Sequence, residues 1–205
     1  MQAEFRVGPQ VNADGSLVVG RVARTGEQVV SDGHARYQEA VLRGAVFLAA
    51  NQAGSAVTNL ATTATGLILT NPLGSGKNLV VIEIGFIQTS TAAATANAGL
   101  QLAANVNPAA AAVVHTTPLT VRNALLGGST GAGLVDSAAT LPAAPVVILN
   151  LWQPSVSATA TTGIPPVVKF DIDGKVILAP GTAISLSALS ALSGAAHVLW
   201  EEVST

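Results

Sequence analysis

From Gly44 to the end of the chain, apolar residues arrive in short runs, each closed off by Gly, Pro, Asn or Asp. The runs are Leu67–Thr70, Leu79–Ile87, Val146–Trp152, Val167–Ile172, Val176–Leu178, Ile184–Leu189 and His197–Val203. They are rich in Val, Ile, Leu and Thr and shorter than the roughly 10–12 residues that mark a helix, so they read as strands. Within the sixth run, Ile184, Leu186 and Ala188 alternate with Ser185, Ser187 and Leu189, which predicts a half-buried antiparallel strand. Asp173-Gly174 is the dipeptide of a two-residue hairpin, because a type I′ turn needs positive φ at both central positions. Pro180-Gly181 predicts a type II turn, with Pro setting φ and Gly taking the positive φ that follows.

Strands at such short spacing imply an all-β antiparallel β-sandwich or jelly roll rather than βαβ units. The Ala-, Thr-, Ser- and Gly-rich segments 91–98, 127–140 and 155–163 read as loops between them. One helix is expected, at 34–43, where Tyr37, Ala40, Val41 and Gly44 fall on one face and Ser31 or Asp32 stands ready as a cap. Residues 1–33 carry Gly8-Pro9, Asp14-Gly15 and charges of alternating sign, which suits an extended arm. The expected layout is therefore an arm over 1–43 that includes the short helix, followed by a β-sandwich over 44–205.

Charge sharpens that division. Only 20 of 205 residues are charged, and ten of them lie in residues 1–43. Residues 44–168 hold four (Lys77, Glu83, Arg122 and Asp136), and 44–76, 84–121 and 137–168 hold none. A surface this short of charge fits a subunit that packs into an oligomer or a lattice; the alternative is a Ser/Thr-rich β domain soluble through its neutral polar groups. A net charge of −2 argues against nucleic acid as a partner, since phosphate binding needs clustered Lys and Arg. No apolar run approaches a membrane span, and MQAEFRVGPQ lacks the core of a secretory signal, so no membrane partner is expected. There are no cysteines, which excludes disulfides and thiolate metal sites.

Motifs that suggest chemistry fail on their own terms. Gly74-Ser75-Gly76-Lys77 has Asn71 and Asn78 where a phosphate loop needs Gly and Ser or Thr, so it reads as a hairpin loop over Asn71–Lys77 with a solvated Lys77. Asp171-Ile172-Asp173-Gly174 has Pro180 where a calcium loop needs Glu. His34, His115 and His197 stand alone in sequence, and nothing links Glu83 to Asp136. No catalytic residue, cofactor or metal site is expected. Trp152, Trp200, Phe47, Phe86 and Phe170 read as core. A sugar-stacking platform on the tryptophans is the sharper alternative, and Glu201-Glu202 suggests that the last strand ends at an exposed edge or an interface.

Three stretches carry a resemblance: Glu39–Ala53 (EAVLRGAVFLAANQA), Asn71–Val81 (NPLGSGKNLVV) and Asp171–Val203 (DIDGKVILAPGTAISLSA through HVLWEEV). Together they resemble the capsid decoration, or cement, proteins of tailed bacteriophages and related head-associated virion proteins. The resemblance implies a jelly-roll domain that forms a homotrimer on the outside of the shell, with the major capsid protein as partner and the virion surface as its place. It carries over no catalytic residue. Arg21, Arg24, Arg36 and Arg43 are the side chains suited to bidentate pairing with carboxylates of that partner. The alternatives are a receptor- or glycan-binding module of a virion, or a cupin-like enzyme whose histidines converge on a metal.

Overall fold

The computed structural model of the chain describes residues 35–89, 99–106, 112–152, 167–189 and 192–205. They fall into two compact units divided between Glu39 and Ala40. In the first, Gln38 N donates to Ala35 O at 2.9 Å, and Gln38 Oε1 reaches back to accept from Ala35 N at 3.2 Å, the half of a capping box that an alanine at the cap position allows. Ser31 and Asp32, the expected caps, lie outside the described residues, as does the arm up to residue 34.

Among the described residues, thirteen antiparallel strands follow one helix, α1 (Gln38–Leu42), and all thirteen belong to the second unit, Ala40–Thr205. The helix is shorter than expected because Gly44 is not on its face but beyond its end. Gly44 takes the left-handed conformation (φ 68°), its N donates to Val41 O, and Ala45 N donates to Ala40 O. This is a Schellman closure, in which the last carbonyls find partners past the final turn.

Strand β13 (Leu192–Ser204) shows why the layers form: Leu192, Ala196, Val198 and Trp200 are buried, and the residues between them are more exposed. Period-two burial gives a sheet one dry face, which must pack on another sheet. The first sheet runs β10 (Val167–Asp171), β4 (Lys77–Gln88), β13, β1 (Val46–Ala50), β7 (Arg122–Asn123). On it, β11 (Ile177–Leu178) also pairs with β4, and β2 (Ser55–Val57) with β13. The second sheet runs β6 (Val114–Pro118), β8 (Leu134–Thr140), β3 (Thr63–Thr70), β12 (Ala183–Ala188), β5 (Leu100–Asn105), β9 (Val146–Trp152).

Eight of these strands pair as if the chain had been folded in half and rolled up: β1 with β13, β3 with β12, β4 with β10, β5 with β9. Nested pairs divided between two sheets are the wrapping of a jelly roll, so the expected fold class stands. Strands β6, β7 and β8 are inserted between β5 and β9 and widen both sheets. The core lies between the layers, with Phe86, Leu69, Ile84, Leu102, Leu186 and Trp200 at its centre. Trp200 stacks on Phe47 with ring centroids 6.0 Å apart.

Local expectations fare unevenly. Asp173 and Gly174 both have positive φ (52° and 76°), and Lys175 N closes the turn on Ile172 O. The turn is nevertheless no hairpin, since β10 and β11 on either side both pair with β4 and the five residues 172–176 loop out between them. Gly181 (φ 86°) completes the expected turn, with Thr182 N bonded to Ala179 O.

The loop Asn71–Lys77 is also no hairpin, because β3 and β4 belong to different sheets and the loop carries the chain from one to the other. The Asn71 side chain holds it by donating to Lys77 O and Leu178 O and accepting from Ser75 Oγ, while Lys77 Nζ donates to Ser204 Oγ instead of standing free in solvent. Strand β12 is buried on both faces, Ser185 and Ser187 included, because it sits mid-sheet between β3 and β5. The segment 127–140 is not all loop: Leu134–Thr140 is β8, fixed by pairing with β3 and β6.

Candidate functional site

Where the terminal strands of the two sheets come together, the sandwich stays open. Strand β9 ends the second sheet, and β11 lies on the outer side of β4 in the first. Between them is a cleft of about 410 Å³, floored by Ala104, Leu149, Leu178 and Ile184. Its surroundings are apolar and exposed: Val106 by 71%, Val146 by 67%, Ile177 by 57% and Ile148 by 41%. Lys175 is the sole charged side chain among the described residues lining it. Such a surface can bury apolar groups of a partner.

Titratable groups assemble elsewhere, and only through tertiary pairing. His115 Nδ1 lies 2.6 Å from Asp136 Oδ2, joining β6 to β8; the carboxylate is fully buried and the imidazole 32% exposed. The second oxygen, Asp136 Oδ1, is buried without a hydrogen-bond partner. On the first sheet, Glu83 meets His197 at 3.0 Å and Lys169 at 2.8 Å, and Lys169 also reaches Asp171 at 3.3 Å. His197 lies over Gly85, where a Cβ would collide with the imidazole ring. Burial pushes the Glu83 carboxyl up, but hydrogen bonds from Lys169 and His197, together with their charges, outweigh it and hold the group below its ordinary 4.5. Lys169 is correspondingly raised, chiefly by its hydrogen bond to Glu83.

A third carboxylate works structurally. Glu202 Oε1 accepts from Ala132 N, Gly133 N and Trp200 Nε1, and Oε2 accepts a second bond from Ala132 N. This clamps the loop before β8 onto Phe47 and Trp200, so closely that a Cβ on Gly131 or Gly133 would press into those rings. Up to Glu201, β13 is paired on both sides, with β4 and β1; beyond it only β4 runs alongside, and Val203, Ser204 and Thr205 are exposed.

Trp200 is fully buried, which removes it as a sugar-stacking surface. Nothing is described of the Trp152 side chain. Among the described residues, no three His, Asp or Glu side chains are placed to hold a metal ion, and no helix is long and apolar enough to cross a membrane. Of the arginines expected to meet a partner, Arg36 and Arg43 are exposed, with Arg36 5.4 Å from the ring centroid of Tyr37. Arg21 and Arg24 lie outside the described residues, as does His34.

Sequence reasoning missed both histidine–carboxylate contacts, whose partners are 21 and 114 residues apart and follow no motif. It also missed the cleft, which is made by strands brought together only in the folded chain. No family model, curated protein or solved structure matches this chain.

Proposed function

We propose that this chain is a structural virion protein of a tailed bacteriophage. In this reading it is a homo-oligomer, taken as a trimer, that seats on the outer surface of the capsid against the major capsid protein and stabilises the shell. The observation that carries the proposal is the pairing of a jelly-roll body with an apolar, almost uncharged open edge. A clamp acts by burying extended surface: at about 25 cal/mol per Å² of apolar area, a standard interface of roughly 1,600 Å² offsets its ordering costs without any reactive group. The exposed Arg36 and Arg43, with Arg21 and Arg24 in the arm, supply the charged contacts that set orientation.

The test is co-sedimentation of the full chain with purified phage capsids stripped of accessory proteins. Saturable binding at a fixed copy number per capsid, with a raised temperature of capsid disruption, is expected. Absence of binding together with an unchanged disruption temperature would refute the reading. Deleting residues 1–33 separates the two parts: the thermal transition of the β unit should persist while capsid binding is lost.

A further inference from the structure

We infer that the open edge formed by β9 and the neighbouring cleft is the face on which a second copy of this chain docks. The inference deepens the self-association in the proposed function but does not depend on the capsid. Strand β9 has the sequence VVILNLW, with no proline and no charge along its length. On one side it pairs with β5. On the other, no strand pairs with it, so among the described residues a row of its backbone N–H and C=O groups has no ladder partner. Monomeric proteins blunt such strands with lysine, proline, a bulge that turns the edge away or a covering element, because an unprotected apolar edge recruits further strands.

The opposite edge of the same sheet is built differently. There β6 reads Val-His-Thr-Thr-Pro, which is polar and stopped by Pro118. Both edge strands shift register twice against their neighbours, so the two edges differ in proline and in side-chain polarity, not in regularity.

Charge selects the occupant. At a contact between identical faces, side chains near the symmetry axis meet their own copies, so a charged face repels itself and a neutral one does not. Val106, Val146, Ile148 and Ile177 carry no charge, and Lys175 is the only ionic group described along the cleft. An acidic partner would find a single cation here, and a basic partner none of its complement. A second copy finds the same apolar rim and a strand of matching hydrogen-bond pattern.

Sedimentation velocity on the full chain, from low to high micromolar concentration, reads the outcome for wild type, Ile148→Lys and Leu73→Lys. Leu73 is a more exposed apolar residue, 74% against 41% for Ile148, on the loop between β3 and β4 and outside the cleft lining. Wild type and Leu73→Lys should associate alike. Ile148→Lys should weaken association by about a hundredfold, since it would bury an unpaired ammonium, while keeping the wild-type circular dichroism. Because the chain has no cysteine, Ile148→Cys gives an independent readout: its alkylation rate should fall as protein concentration rises. A wild type that stays monomeric, an Ile148→Lys variant that associates normally, or an alkylation rate independent of concentration would each overturn the inference. Capsid co-sedimentation keeps the two proposals apart: a monomer that binds capsids sinks only the docking face, and an oligomer that ignores them sinks only the virion reading.

Discussion

His115 and His197 each meet a carboxylate on a neighbouring strand, at 2.6 and 3.0 Å, yet the two contacts sit in opposite surroundings. Asp136 is fully buried on β8, with His115 as its partner and one oxygen left over. Glu83 lies on the outer side of the first sheet, keeps 18% exposure and shares its charge between Lys169 and His197. Coulomb attraction at equal distance grows as the local dielectric falls, and so does the cost of stranding one member. The comparison teaches that the strength of a histidine–carboxylate contact follows from how completely the carboxylate is buried rather than from its length.

The largest effect is expected where that asymmetry is broken. His115→Ala leaves Asp136 buried with no partner and should cost about 2–3 kcal/mol, read as a lower denaturation midpoint at unchanged m-value. A cost below about 1 kcal/mol would mean that water reaches the carboxylate and that the contrast is false. Replacing both members, His115→Leu with Asp136→Leu, should recover stability to within about 1 kcal/mol of wild type, because no stranded group remains.

His197→Ala should cost less than about 1 kcal/mol and lose part of that in high salt, since the pair is solvated and Lys169 still serves Glu83. The smallest effect is a pH dependence. A carboxyl held below its unfolded value stabilises the fold above that value and loses the contribution as pH falls through the folded one. For Glu83 the loss therefore lies below pH 4.5, and Lys169→Met should flatten the stability profile there. An unchanged profile would show that Lys169 does not hold the carboxyl down.

Much of the fold was legible before any pairing was known. Val146–Trp152 is β9 to the residue, and Leu79–Ile87 falls within β4. These strands are branched, apolar and bounded by turn residues, so propensity and pattern agree. Among the missed strands, β5 (LQLAAN), β6 (VHTTP) and β8 (LVDSAAT) are rich in small or polar residues and carry no sustained alternation of large apolar and polar groups. Their neighbours hold them extended. Strand β8 is paired on both sides, by β3 and β6, so hydrogen bonding across the sheet overrides weak local preference.

The hairpins read at Asn71–Lys77 and Asp173-Gly174 fail for a related reason. A turn's chemistry fixes its dihedrals, and both dihedrals at Asp173-Gly174 came out as read. It does not fix whether the flanking strands pair with each other or with a third.

The sequence alone determined that this chain is all-β and nearly uncharged through its middle, because strand length, turn residues and charge are local properties. Tertiary structure alone decided that the first strand meets the last, that Asp136 is buried against His115, and that β9 is left at an open apolar edge. Those outcomes depend on which distant segments share a sheet. Pairing across more than a hundred residues is set by the fit of whole faces, and no short stretch of sequence encodes it.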